Sequence, residues 1–571
     1  MRNLRFKQLA NILWLAGAAM VITGCGMGSG RVRSSDYPFD FHVNCILDDR
    51  HVILFLVDGC RADLLGEMAR SGDLPAIKKY LIERGITAAC AVSTIPAVTT
   101  ASVAAMTCGV YPGNLDVIGN RWFDQSRSRR NAVFSIRDFY TPNEYMRRKT
   151  IYEVLGGEMT VAVCTRSSRG ATYNIPMYYN LVGMRNYLFG RWEKVDEIFI
   201  EQFGDVVECA NREGVFPRLT FFHMPGLDSV SHRHGPFSSE TRAMLKDVDR
   251  TIGALMEGLQ RNGIMDSVCV ILIADHGQVL LRKENYLLLE KYFSSELGLA
   301  ALDRYNSVDR SGSLAKKERF YNRFCIIVAN NGRNASLYVR HNPERRWIPP
   351  ERMPSWREKA TWEELRDYQT PSGAVDLVER LRSVKSIRFV IGQPGKGEVA
   401  IFSSAGESRI RTEGPNGGSL FAYEVVSGED PLGYRDDPHA AKLMDGNYHA
   451  SSEWLNATCD LAQPDVVAQL PSLFESPCSG DLFLVAADEW DFEEVNKSSH
   501  GGFLKGEMQV PLVIAGPRIR KGTIGKVRIV DVMPTILEYL GRGDRIGGLD
   551  LDGVSFWKEI ENPKSQIPNP N

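Results

Sequence analysis

Six short apolar runs constrain this chain more than any other feature: His51–Val57, Thr160–Cys164, Leu219–His223, Val268–Ala274, Leu482–Ala486 and Val510–Ile514. They are rich in β-forming residues and lack polar alternation, the pattern of strands covered on both faces. Most end in a turn or a polar cluster. Between them lie amphipathic stretches such as Leu245–Gln260, where Val248, Ile252, Leu255, Met256 and Leu259 recur at helical spacing. Continuous apolar strands alternating with helices predict an α/β fold built on a doubly wound, mostly parallel sheet. Ligands of such sheets gather at the C-terminal strand ends, so the residues just past each run carry the functional weight.

The 571 residues are enough for three or four domain-sized units. The strand–helix pattern holds over residues 49–280 and again over 481–561. Residues 281–480 interrupt it. They include Arg340–Trp362, with four prolines and three tryptophans, and the runs Ser386–Ile391 and Glu398–Ser403. This interval is expected to be an inserted α+β cap subdomain. The tail 562–571, rich in Pro and Asn, has the composition of a disordered segment.

Residues 1–25 have the pattern of a signal peptide, with Arg2, Arg5 and Lys7 before the apolar stretch Ile12–Ile22. Ile22-Thr23-Gly24-Cys25 resembles a bacterial lipobox, which implies lipidation of Cys25. Residues 26–48 would then be a linker, and the mature chain a lipoprotein of the bacterial cell envelope, facing the periplasm or on the outer membrane. A formal net charge of −2 and the lack of a basic run give no reason to expect specific nucleic-acid binding. Cys164, Cys269 and Cys325 sit in apolar runs and read as core thiols, while Cys459 and Cys478 are the expected disulfide pair.

The chemistry-bearing residues follow the strands. Asp58-Gly59 follows the first. Asp228 and His232 follow the Leu219–His223 run, and Asp275-His276-Gly277 the Val268–Ala274 run. His500-Gly501 comes far downstream. Carboxylates and imidazoles together suit zinc and related divalent metals. Any one of these pairs is weak evidence, because a lone histidine is more often structural. The set as a whole is much stronger.

This ordered set resembles the type I phosphodiesterase/nucleotide pyrophosphatase branch of the alkaline phosphatase superfamily. The resemblance covers about residues 50–280 and 480–560, including Val510-Pro511-Leu512, Gly516-Pro517 and Asp531-Val532-Met533-Pro534-Thr535. It implies an alkaline phosphatase-like core. It places the nucleophile ten residues before Gly109, at Thr99, with Thr100 the neighbouring contender and Thr94 a distant one. A substrate-binding Asn about 21 residues further on falls at Asn120. By the same resemblance Asp58, Thr99, Asp275 and His276 would hold one divalent ion. Asp228, His232 and His500 would hold a second. The metal is expected to be zinc, with manganese the alternative. Ala101-Ser102 after Thr99 and Asn114-Leu115 after Pro112 depart from the family pattern without removing a ligand.

The expected activity is hydrolysis of a phosphodiester or nucleotide pyrophosphate through a phospho-threonine. A phosphomonoesterase or phosphonate hydrolase on the same site is an alternative. A non-catalytic surface lipoprotein is another, disfavoured by the intact ligand set. His42, His51, His223, His234, His341, His439 and His449 receive no metal role, with His234 the nearest to an exception. Trp122, Phe123, Tyr178 and Tyr179 are candidates for a pocket wall, with aromatic core the simpler reading.

Overall fold

A computed structural model of the chain describes residues 41–562, apart from 49, 135–137, 177–195, 197, 303–312, 415–418 and 495. The signal segment, Cys25, Tyr178, Tyr179 and nearly all of the tail lie outside the described residues. Within them no helix is long and apolar enough to cross a membrane.

Among the described residues, two nine-stranded sheets carry the fold. The first is built around His51–Val57, whose seven residues are all buried. Each such aliphatic side chain contributes about 1.5–3 kcal/mol when fully withdrawn from water. This strand runs parallel to Leu219–Met224 on one side and to Val268–Ile273 on the other. Thr160–Val163 extends the parallel series beyond Leu219–Met224. On the other flank Leu512–Ala515 runs antiparallel between Val268–Ile273 and Ile86–Val92. The expected mixed α/β class, with a mostly parallel central sheet, is therefore observed.

The helix patterns translate directly. Ser239–Arg261 starts where the Ser238 hydroxyl accepts the Thr241 N–H, and it buries Val248, Ile252, Leu255, Met256 and Leu259. The Asp249 carboxylate accepts the N–H groups of Ala76 and Ile77, tying this helix to the start of the helical segment Ile77–Ile82 that precedes the Ile86–Val92 strand.

The second sheet is largely antiparallel and belongs mostly to the interval 281–480, from Ala301–Leu302 to His449–Ala450. One of the six runs departs from expectation. Leu482–Ala486 is not in the parallel sheet. It lies antiparallel between Asn334–Val339 and Ile387–Gly395. Both faces of this sheet are covered. Phe483 and Val485 join one apolar cluster, which also holds Trp122, Trp454 and Ile391. Leu482, Leu484 and Ala486 join another, with Leu289, Phe293 and Val390. Continuous hydrophobicity reports two covered faces, whichever way the neighbouring strands run.

The cysteine pairing also differs. Cys459 bonds to Cys90, and Cys478 is a buried free thiol. Nearness in sequence does not decide which β-carbons meet. Here the bond joins the Ile86–Val92 strand to the end of helix Ser451–Thr458. Cys164, Cys269 and Cys325 are buried and free, as core thiols should be.

Candidate active site

Four adjacent parallel strands, Val268–Ile273, His51–Val57, Leu219–Met224 and Thr160–Val163, end along one edge of the first sheet. Each delivers a polar group there. Asp58 follows its strand at once, and Asp275-His276 comes two residues after the neighbouring one. Asp228 and His232 sit one turn apart on helix Gly226–His234. Gly59 has φ +71°, and a β-carbon there would come within 2.9 Å of Asp228 Oδ1. Only glycine lets Asp58 and Asp228 approach this closely.

The remaining groups arrive from elsewhere. Ser498–Ser499 pairs with Val279–Leu280 and so brings His500 onto His276, the rings stacking at 3.6 Å between centroids. Thr99 is the first residue of helix Thr99–Cys108, all of it buried. Its Oγ1 lies 3.2 Å from His276 Nε2. Thr100 Oγ1 instead accepts a hydrogen bond of 2.7 Å from Arg166 Nη1. Thr94 bonds to Ser102. Of the three threonines, only Thr99 presents its hydroxyl to the imidazole cluster. Asn120 lies alongside, its Oδ1 accepting the Thr100 N–H at 3.0 Å.

The donor atoms are oriented for cations. Each of His232, His276 and His500 directs Nδ1 at a backbone carbonyl, of Ser498, Gly277 and Ala97 respectively. With Nδ1–H donating there, the Nε2 lone pair is left for a metal. Asp58 Oδ1 and Asp275 Oδ2 are buried with no hydrogen-bond partner. Ligand atoms of Asp58, Asp275 and His276 fall within 4.8 Å of one another, and so do those of Asp228, His276 and His500. His232 Nε2 is 3.4 Å from Asp228 Oδ2. His276 thus stands between the two groups.

Electrostatics point the same way. Burial, then the charges of Asp275 and Asp228, push the Asp58 carboxyl well above the usual range. Burial and Asp228 raise Asp275 to about 7. Burial lowers His276 to about 4 and His500 to about 3. Burial also disfavours charge on Asp228 and His232, but their mutual attraction wins, raising His232 to about 9 and holding Asp228 below its ordinary value. Crowded carboxylates, orphaned oxygens and the neutral imidazoles of His276 and His500 form a donor set that divalent cations satisfy.

All the expected site residues that lie among the described residues are brought together, around a cavity of about 350 Å³. His234 instead pairs with Glu240 at 3.4 Å. Trp122 and Phe123 are fully buried core. Two residues of the site were missed by the sequence reading. His223 Nε2 lies 2.7 Å from Asp58 Oδ2 and steadies that carboxylate. Arg166 projects beyond the Thr160–Val163 strand into the same cavity. Its place just past a strand end was the available signal. The second sheet also reaches the cavity, through Asn331 and Gly332 of the turn joining Ile326–Asn331 to Asn334–Val339.

Residues 52–363 match the family model for type I phosphodiesterase / nucleotide pyrophosphatase. The chain is 28% identical over 249 residues to mouse ectonucleotide pyrophosphatase/phosphodiesterase family member 1, covering 42% of this chain but only 25% of that protein. It is 45% identical over 56 residues to human family member 7, covering 10% and 12%. The structure of murine ectonucleotide pyrophosphatase/phosphodiesterase 5 superposes with a TM-score of 0.53 at 14% identity, covering 90% of this chain and all of that one. An inactive form of that murine protein has been solved in complex with AMP. A family match over more than half of the chain, on a shared fold, leads to one conclusion: the chain belongs to the type I phosphodiesterase/nucleotide pyrophosphatase family.

Proposed function

We propose that the chain hydrolyses phosphodiesters or nucleotide pyrophosphates through a covalent phospho-threonine at Thr99. The observation that carries this reading is the placement of Thr99 Oγ1, at a helix N-terminus and 3.2 Å from His276 Nε2, against a set of six buried or half-buried metal-ligand candidates. Family membership and the AMP complex of the murine neighbour support the substrate class.

Asp58, Asp275 and His276 with Thr99 would hold one divalent ion, and Asp228, His232 and His500 the other, zinc being the first candidate. Bound there, the pair would supply Lewis acidity and neutralise charge on the phosphoryl group. Thr99 is the nucleophile: its Oγ1 loses its proton to solvent and bonds to phosphorus as the bond to the leaving oxygen breaks, and that oxygen takes up a proton from solvent. Water then cleaves the phospho-threonine and restores the hydroxyl. The Asn120 amide, its oxygen held by the Thr100 N–H, is left to donate from nitrogen to a nonbridging oxygen. The N-terminus of helix Thr99–Cys108 favours the phosphate's negative charge.

The test is turnover of bis-p-nitrophenyl phosphate with zinc or manganese, comparing the wild type with Thr99→Ala. Retained turnover in the variant would remove Thr99 as nucleophile. No turnover of any phosphoester by the metal-loaded wild type would favour a binding role instead.

We further infer that the enzyme works on the bacterial cell envelope, anchored through lipid on Cys25, on the strength of the Ile22–Cys25 motif. Cys25→Ala should move the protein from the membrane to the soluble fraction. Unchanged fractionation would refute the anchor.

A further inference from the structure

Gln278 is a buried side chain among the ligand candidates that offers no metal-binding carboxylate or imidazole. It follows Asp275-His276-Gly277 and is fully buried. A carboxamide withdrawn from water so completely is costly unless its hydrogen-bonding groups are used. Here they are used at both ends. Nε2 donates to the Asp228 backbone carbonyl at 3.1 Å and to Asp228 Oδ1. Oε1 accepts the Ser498 hydroxyl. The reverse orientation would set Oε1 against two acceptors of Asp228, so the surrounding groups decide which end is nitrogen.

The partners lie on one side of the site. Asp228, His232 and His500 are the candidates for the second ion. The amide reaches Asp228 directly. It reaches His232 through Ser498, whose carbonyl accepts His232 Nδ1 at 2.7 Å. Ser498 also stands two residues before His500. Asp228 Oδ2 faces His232 Nε2 at 3.4 Å, and Oδ1 stands 3.9 Å from His500 Nε2. Holding Oδ1 fixes the plane of the carboxylate, and with it the lone pairs that face the imidazoles.

The amide itself is firmly based. The Gly277 N–H donates to the Glu507 carbonyl at 2.8 Å, and a β-carbon on Gly277 would come 2.2 Å from the Gly506 carbonyl oxygen. Arg61 Nη1 donates to the Gln278 carbonyl at 2.6 Å. Val279–Leu280 then pairs with Ser498–Ser499. Gln278 is thus a strut that starts in the loop of one ion group and ends on the ligands of the other.

We propose that Gln278 is a positioning residue that sets the affinity of the second ion, the one assigned to Asp228, His232 and His500, and not that of the first. This rests on the two-ion reading of the site.

The experiment titrates zinc into the metal-free full chain in competition with a chromogenic chelator, for the wild type, Gln278→Met and Ser498→Ala. Methionine keeps the length and bulk of the side chain and removes the amide's bonds. One of the two zinc affinities should fall about 10–100-fold and the other should hold. Ser498→Ala releases only the oxygen end and should weaken the same ion by a smaller factor. Asp228→Ala identifies that ion: in its background Gln278→Met should weaken nothing further. Turnover of bis-p-nitrophenyl phosphate by Gln278→Met should fall at limiting zinc and return with excess zinc. Unchanged affinities, equal losses of both ions, a further loss in the Asp228→Ala background, or turnover that excess zinc does not restore would each overturn the proposal. Should Gln278→Met not fold, unchanged affinities in Ser498→Ala overturn it instead. A wild type that takes up two ions but cleaves no phosphoester ends the proposed reaction and leaves Gln278 to be decided by the titrations. A wild type that takes up fewer than two overturns both.

Discussion

The two large sheets solve opposite problems. The first ends its parallel strands in groups that are poor company for each other: burial and neighbouring carboxylates suppress the ionisation of Asp58 and of Asp275, and each has a buried oxygen without a partner. The second spends the middle of its strands on packing, with Phe483, Val485, Ile391 and Ile401 on one face and Leu482, Leu484, Val390 and Phe402 on the other. The first sheet is strained where it works, and the second supplies rigid support. One grip between them lies at His500. Arg333 donates its N–H to the His500 carbonyl, and its guanidinium pairs with Glu507 at 3.0 Å, both side chains fully buried. Gly332 has φ +67°, and a β-carbon there would come 2.7 Å from that same carbonyl oxygen.

The contrast is easiest to break at the strand ends. His500→Ala should strip metal and lower phosphoester turnover by about a thousandfold or more, with thermal unfolding little changed once both proteins are metal-free. Full metal content by elemental analysis would remove His500 from the ligand set. Next in size is the grip. Arg333→Met strands the Glu507 carboxylate and should cost about 3–5 kcal/mol in urea unfolding. It should also weaken metal retention through His500. Loss of stability with unaltered metal content would show that the second sheet supports the fold but not the site.

A smaller effect belongs to the Cys90–Cys459 bond, which closes a separation of 369 residues. Replacing both with Ala should cost about 2–4 kcal/mol, read from the shift in unfolding midpoint, at nearly constant kcat. A large fall in kcat would mean that the bond shapes the cavity. The smallest change is expected inside the second sheet. Ile401→Val should cost about 0.5–1.5 kcal/mol and leave kcat/KM as it was. An altered substrate preference would contradict the division between support and chemistry.

The site was more legible than the architecture around it. Asp58, Asp228, His232, Asp275 and His276 could be found because each closely follows a strand that is readable from its apolar run. His500 was legible only as a downstream His-Gly pair that completed the set, and Thr99 needed the family pattern, since neither sits at such a strand end. Arg166 satisfied the strand-end rule but is of a residue type that the metal search passed over. His223 lies within a strand, where a polar residue reads as tolerated core. The place of Leu482–Ala486 was hidden for a different reason. A strand covered on both faces has the same composition in a parallel sheet as in an antiparallel one, so its partners cannot be read from it. The disulfide partner of Cys459 was hidden because the chain distance to Cys90 says nothing about the fold between them.

Leu482–Ala486 is an interior strand of the second sheet, fourth in its order, and the last of its nine to be synthesised. Asn334–Val339 leaves the ribosome roughly 140 residues earlier. At about 5–20 residues per second it waits some 7 to 30 s for its neighbour. During that interval the hairpin, and once it is made the meander from Ile387 to Gly428, each present an open edge. The nascent chain must be shielded until the keystone strand arrives, and a product truncated before residue 482 will be two sticky half-sheets rather than a smaller enzyme.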